Sequence, residues 1–432
     1  MSPSRPDAPA VCLDVGSTWT KALLVSSDGR STAFAQHPTT SADVLSGMDA
    51  VAAVVGGSLP AEQPGPAVLA CSSAGGALRL AVVGTERLAT EEAGHRVACS
   101  AGSRVVHVHA GPLEPADVRT LRARQPGAVL LVGGAEGGDA SVLLHNAGRL
   151  ARARVRYPIV LAGNSSAAED AVALLRATGR KVVTCENVVP RPGTFVPESA
   201  RAALVELFGG HVAGGRGAPT GARFRRMVRT STPDAVSRAT AELALLWAGG
   251  STVVVDIGSA TTAVHSAVGG GAAHRTVEAD LGLREAADGV LLAGQVEQLL
   301  DPVEADLLST SVHRMTEDTA FLPVDVGGQA EDRRVGAVAA AVALRRHLER
   351  FGDELGAVGL LVLAGGVCRQ PDPHALAAVE STLRTDPVLA GVLAGAAVRL
   401  DSSFVLPPAG LLADAGGAPP AGTLLREHLL AS

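Results

Sequence analysis

Aromatic residues are nearly missing from this chain: seven Phe, two Trp and one Tyr among 432 residues. Proteins that hold single-stranded nucleic acid stack bases on grouped aromatics, and no group exists here. Any core must be aliphatic. Lysine is scarcer still. Of 37 basic residues two are lysines, Lys21 and Lys181, and the rest are arginines. The five cysteines (Cys12, Cys71, Cys99, Cys185, Cys368) are odd in number and scattered, which excludes a disulfide framework and a CxxC metal site. No apolar run reaches the ~18 residues of a membrane span, and MSPSRPDAPA lacks the apolar core of a signal peptide. A net charge of -6 and a pI near 6.1 argue against a general polyanion binder. Together these shortages predict a cytoplasmic setting, with no nucleic acid and no membrane as partner.

What is present supports substantial folding. Hydrophobic residues make up 47 % and charged residues 19 %, so disorder along the whole length is excluded. At roughly 150 residues per domain the length suggests two or three domains. VCLDVGSTWTKALLVSSDGRSTAFA, from Val11, reads as three short strands with a Gly-Ser-Thr turn and an Asp28-Gly29 hairpin. Strands at 67–71 and 80–83 and a helix near 86–100 follow. From Arg104 to Cys185 the pattern changes to strand–helix alternation, the rhythm of a parallel βαβ sheet. Residues 199–208 read as helix, and the Gly-rich stretch from Gly209 to Ala222 as a loop. A helix over 234–248 then leads to STVVVDIGSATTAVHSAV, and a long helix over 331–350 precedes LLVLAGGVCR.

DVGSTWTK at 14–21 returns as DIGSATTA at 256–263. An internal repeat of an Asp-apolar-Gly-Ser turn predicts two related halves facing one another. The expected division is 8–240 and 241–432, with a βαβ insertion over about 104–190 in the first half.

Asp14 ends an apolar strand and is followed by Gly16, Ser17 and Thr18. Glycine permits a tight turn whose N–H groups can face a phosphate, and a carboxylate at the strand end suits Mg²⁺. Lys21, on the returning strand, is a compact ammonium able to approach one phosphate oxygen where a guanidinium is too wide. Asp256, Gly258, Ser259, Thr261 and Thr262 repeat the arrangement. No GxxxxGK[ST] loop occurs. Gly365 and Gly366 close a late apolar strand, where a nucleoside can lie against the backbone.

Two phosphate loops followed by a glycine turn form the ordered pattern of the actin/Hsp70/sugar-kinase superfamily. DVGSTWTKA, CSSAGG, LLVGGAEGGD, AGNSSAAE, ENVVP, DIGSATTAVHS, TVEADLGLR, AGGVCR and FVLPPAGLLA, in register from about Val11 to Leu412, resemble the MutL/GlmL accessory proteins of glutamate mutase. The resemblance implies an α/β fold of two actin-like (ribonuclease-H-like) lobes, with an enlarged βαβ region in the first. It also implies a chain that binds ATP with Mg²⁺ and serves subunits of an adenosylcobalamin-dependent mutase as a chaperone or reactivating factor. Carried over by motif, Asp14, Gly16, Ser17, Thr18 and Lys21 form the first phosphate site. Asp256, Gly258, Ser259, Thr261 and Thr262 form the second, and Gly365 and Gly366 lie beside the adenosine. Asp14 and Asp256 are the metal-binding and catalytic carboxylates, joined by Glu278 and Asp280 as candidates for positioning water. Two departures stand out: Ser259 replaces the family's second Gly, and Ala263 replaces an Asp, which predicts slow hydrolysis or a differently held Mg²⁺.

The readings in competition are a weak ATPase acting on a protein client, a small-molecule kinase of the same superfamily, and an actin-like scaffold with little catalysis. No DxD or other sugar-binding signature stands in the first half, which weakens the kinase. His107 and His109 share one strand face as metal ligands do, but no third ligand accompanies them. The turn within 129–141 could present N–H groups to an anion. Arg216, Arg223, Arg225, Arg226 and Arg229 read as a solvated basic loop.

Overall fold

The computed structural model describes residues 8–39, 43–57, 66–153, 155–214, 222–271, 273–369 and 373–431. It divides into two compact units, Met1–Gly76 with Val212–Ser432, and Ala77–His211.

The chain opens with β1 (Ala10–Val15), in which every residue is buried. Such a strand belongs in the middle of a sheet covered on both faces. It pairs antiparallel with β2 (Trp19–Val25), which pairs antiparallel with β3 (Ser31–Pro38) across the Asp28-Gly29 turn. On its other side β1 pairs parallel with β4 (Ala67–Ser72).

The second unit is built on β5 (Leu78–Gly84), β6 (Ser103–Ala110), β7 (Ala128–Leu131), β8 (Ile159–Leu161) and β9 (Val182–Thr184). All neighbours are parallel, in the order β6-β5-β7-β8-β9. Its core is aliphatic and internal, with Val83, Leu131, Leu143, Leu150 and Leu175 all buried. The parallel region begins earlier than the sequence reading placed it. Residues 80–83 belong to β5 inside this sheet, because their continuous apolar run is buried on both faces. The helix Glu198–Gly214 also outlasts the expected end at 208, so the loop expectation fails over 209–214; residues 215–221 lie outside the described residues.

β10 (Val228–Ser231) then pairs parallel with β4 and completes the sheet β10-β4-β1-β2-β3. Within the basic segment, Arg223 and Arg226 lie on the helix Ala222–Met227 and Arg229 on β10, in place of the expected loop. Arg223 forms a two-pronged pair with Asp49 at 2.6 and 2.8 Å. Arg216 lies outside the described residues.

The helix Thr232–Leu246 leads into β11 (Ser251–Ile257), β12 (Thr262–Ala267), β13 (His274–Glu278), β14 (Val358–Gly365) and β15 (Ala397–Leu400), ordered β13-β12-β11-β14-β15. Read from the outer parallel strand inward, this sheet has the order and pairing directions of the first. The sequence repeat is therefore a structural repeat: two α/β halves of ribonuclease-H-like strand order, as expected. One apolar core runs between them. Cys12, Leu23 and Leu69 of the first sheet and Val254 and Leu360 of the second bury against Ala239 and Leu243 of the Thr232–Leu246 helix, and against Leu406 and Leu412. The 30-residue helix Val326–Leu355 packs on the second sheet, and its run Val335–Leu344 is buried throughout, which its small Ala and Val side chains allow. Among the described residues no helix is long and apolar enough to cross a membrane.

Candidate functional site

The two repeated turns share one geometry. The N–H of Gly16 donates to the carbonyl of Trp19 at 3.1 Å, and that of Gly258 to the carbonyl of Thr261 at 3.0 Å. A Cβ at either glycine would lie 2.6 or 2.7 Å from that same carbonyl oxygen, so each turn requires glycine. The second turn is braced from the end of TVEADLGLR and the residue after it: the N–H of Leu283 donates to the carbonyl of Gly258, and those of Arg284 and Glu285 to the carbonyl of Ser259. Thr262, the first residue of β12, donates its hydroxyl to the carbonyl of Leu281 at 2.6 Å. The turns meet directly, Thr18 Oγ1 lying 2.6 Å from Ser259 Oγ. Ser17, on the same turn as Thr18, is part-buried.

Two residues before each turn glycine stand Asp14 and Asp256, which line one cleft with Lys21, Thr232, Gly365, Arg369, Asp401 and Phe404, among others. Asp14 is 3 % exposed and bound on both oxygens. Thr232 donates its hydroxyl to Oδ1 at 2.5 Å, and Lys21 Nζ lies 3.3 Å from Oδ2. Asp14 and Lys21 are direct cross-strand partners. The matching partner of Asp256 is the buried Ala263, so the second half places no cation opposite its carboxylate. Burial pushes the Asp256 carboxyl up to about 6, with Lys21 pulling down, Asp14 up, Arg369 down and Asp401 up. Asp401 is also raised by burial, against which the N–H groups of Val405 and Leu406 donate to it.

Gly365 has φ +113, and a Cβ there would lie 2.1 Å from the carbonyl oxygen of Ile257. Only glycine fits. Gly366 is exposed at the start of the short helix that ends at Arg369.

The structure thus brings Asp14, Lys21, Asp256 and Gly365 to one cleft, with Gly16, Thr18, Gly258 and Ser259 at the touching turns. Glu278 and Asp280 are absent from its lining. Glu278, fully buried on β13, pairs with Arg346 at 3.0 Å, and Asp280 pairs with the same guanidinium at 2.9 Å. Sequence reading missed Thr232, Arg369, Asp401 and Phe404. Arg369 and Phe404 had a signal, since they close the AGGVCR motif and open FVLPPAGLLA; Thr232 and Asp401 had none.

The lining suits Mg²⁺ and a polyphosphate: three carboxylates, an ammonium and a guanidinium. No cluster of three or more His, Cys, Asp or Glu able to hold a metal occurs among the described residues. The cleft measures about 40 Å³, room for a few waters and not for a nucleotide.

Elsewhere, the turn after β7 holds Gly133, Gly134 and Gly137 at positive φ and is closed by side chains that follow β8 and β9. Asn187 Nδ2 donates to Glu136 at 2.7 Å, and Asn164 Nδ2 to the carbonyl of Gly138 at 3.0 Å. His107 and His109 lie on the edge strand β6, each with a buried Nε2 lacking a partner among the described residues, and His109 Nδ1 lies 4.0 Å from Asp117.

Residues 10–429 match the model of the family described as MutL protein. Protein MutL of Clostridium tetanomorphum is 30 % identical over 363 residues, which is 78 % of this chain and 78 % of that protein. Among solved structures, a ROK family glucokinase from Streptomyces griseus, in complex with glucose and AMPPNP, overlays with a TM-score of 0.36 at 9 % identity, covering 97 % of this chain and 99 % of that one. The ethanolamine utilization protein EutJ of Carboxydothermus hydrogenoformans overlays with a TM-score of 0.28 at 13 % identity, over 98 % and 91 %.

Proposed function

The chain belongs to the MutL protein family, and on that premise we propose that it binds Mg·ATP between its two halves and serves an adenosylcobalamin-dependent mutase of the glutamate mutase type as an accessory, reactivating factor. The observation that carries the reading is the pair of equivalent strand ends, Asp14 and Asp256, which open on one cleft and are each followed by a matching glycine turn. Phosphates would lie between the turns, within reach of Gly16, Ser17, Thr18 and Lys21 on one side and Gly258, Ser259, Thr261 and Thr262 on the other. The nucleoside would lie beside Gly365 and Gly366.

Bound there, Mg²⁺ would neutralise phosphate charge and orient the terminal phosphoryl group. Asp14 and Asp256 would hold the cation's waters. Lys21 would leave Asp14 for a phosphate oxygen. Glu278 enters this chemistry only by releasing Arg346, so Asp256 is the better candidate for holding the proton of an attacking water. In this reading the two repeated sheets are the jaws of a nucleotide clamp, and the inserted unit is the part available to a client. A ligand touching both jaws favours closure through contacts that the open state lacks, and such differential binding can do work on a client.

The test is direct. Calorimetry should show Mg²⁺-dependent ATP binding that Asp14→Asn or Asp256→Asn weakens at least about tenfold, on the scale of a lost charge-assisted contact. With Mg·ATP and fresh adenosylcobalamin, the protein should restore an inactivated glutamate-mutase-type complex, and Asp14→Asn should not. Equal affinity in all three proteins removes the nucleotide site. Ordinary turnover of a small metabolite, with no effect on the mutase, removes the accessory role.

A further inference from the structure

Phe404 stands out in the cleft wall because its backbone is in the left-handed region, φ +58, where a bulky aromatic residue rarely sits. Such conformations persist when their surroundings hold them, and they gather at ligand sites. The hold is visible. Asp401 accepts the N–H of Val405 at 2.7 Å and that of Leu406 at 3.1 Å, pinning the chain just after the strained residue. Phe34 supports the ring at 5.8 Å between centroids.

The strained backbone delivers a ring that is 3 % exposed and contacts two cations at once. Lys21 Nζ lies 5.4 Å from its centroid and the Arg369 guanidinium 5.7 Å. Both side chains line the cleft. Lys21 is paired with Asp14, and the Asp256 and Asp401 carboxylates face Arg369 across the cleft. The negative π face of an aromatic ring adds attraction for both cations and, unlike a carboxylate, does not compete with an incoming anion for the N–H groups.

We propose that Phe404 is a positioning residue: its ring sets Lys21 and Arg369 as a paired cation cradle for the anionic end of the nucleotide. This rests on the nucleotide reading above. An aliphatic residue of similar bulk fills the same space without the π face, so the two cations separate and their joint hold on phosphate weakens.

The chain has two lysines, which makes the contact observable. In the full-length protein labelled with ¹³Cε-lysine, Lys21 is assigned by its loss in Lys21→Arg, and its ε protons should be shifted upfield by the ring relative to those of Lys181. Phe404→Leu should return the Lys21 signal to the Lys181 position and weaken Mg·ATP binding about tenfold, within the range of a desolvated cation–π contact. Phe404→Tyr, which keeps the π face, should retain the shift and bind within about twofold of wild type. Phe404→Met serves as the aliphatic variant if Leu is not accommodated. A Lys21 signal unmoved by a folded aliphatic variant, or wild-type affinity in that variant, overturns the proposal. A ring-shifted Lys21 that depends on Phe404, in a protein binding neither Mg·ATP nor tripolyphosphate, supports the hold of the ring on the lysine and instead removes the nucleotide reading.

Discussion

Lys21 is enclosed: its ammonium meets Asp14 on one side and the Phe404 ring on the other, and its side chain is 17 % exposed. A guanidinium in that space must either lose Asp14 or push the ring. Lys21→Arg should therefore weaken Mg·ATP binding nearly as much as Lys21→Ala, about tenfold or more, while Lys181→Arg, on an exposed position, leaves it unchanged by calorimetry. Scarcity made Lys21 legible in the sequence, and the repeated Asp-x-Gly pattern did the same for Asp14 and Asp256. Thr232 was not legible: it contacts Asp14 across 218 positions, and no local pattern encodes such a contact. Phe404 opens FVLPPAGLLA, but that motif does not say which of its side chains reaches the cleft. Glu278 misled for the same reason, since Arg346, the partner that occupies it, is 68 residues away.

Adjacent glycines at the end of β14 should behave in opposite ways. Gly365→Ala introduces a Cβ 2.1 Å from a backbone oxygen at φ +113, and should lower stability by about 2–4 kcal/mol. Gly366→Ala meets only the far end of Arg369 at 3.8 Å and should stay within about 0.5 kcal/mol in urea denaturation. Equal costs would show that the turn is not rigid. The long helix Val326–Leu355 carries a second expectation. Its His347 is buried between the hydroxyls of Ser266 on β12, at 2.8 Å, and Thr276 on β13, at 3.0 Å, and burial pushes its pKa from 6.5 down to about 3. The unfolded chain takes up this proton first on acidification. The stabilisation is complete above about pH 6.5 and declines as pH falls toward 3. His347→Gln should flatten that part of a stability-against-pH curve. Strands such as β1 and β11 were readable from apolar runs ending in Asp. β10 and β15 were not, because four-residue stretches such as VRTS and AVRL become strands only by pairing with β4 and β14.

At the scale of the molecule, the repeat foretold two halves, but not where the intervening unit starts. Its first strand, β5, follows β4 after a few residues and differs from it only in the sheet it joins. The aliphatic core of that unit draws every member from Ala81 to Val182, within the unit's own span. A polypeptide of residues 77–211 should thus melt cooperatively by circular dichroism; a featureless profile would mean that its sheet needs the rest of the chain. The contact between Thr18 and Ser259 has a consequence in time. In the proposed reading phosphate lies between those two turns, so while the hydroxyls are joined that place is closed, and encounter and entry are separate events. In stopped-flow mixing, the observed rate should climb with ligand concentration and then level off at the frequency with which the two turns part. Thr18→Ala should raise that ceiling, because this single hydroxyl pair then no longer delays entry.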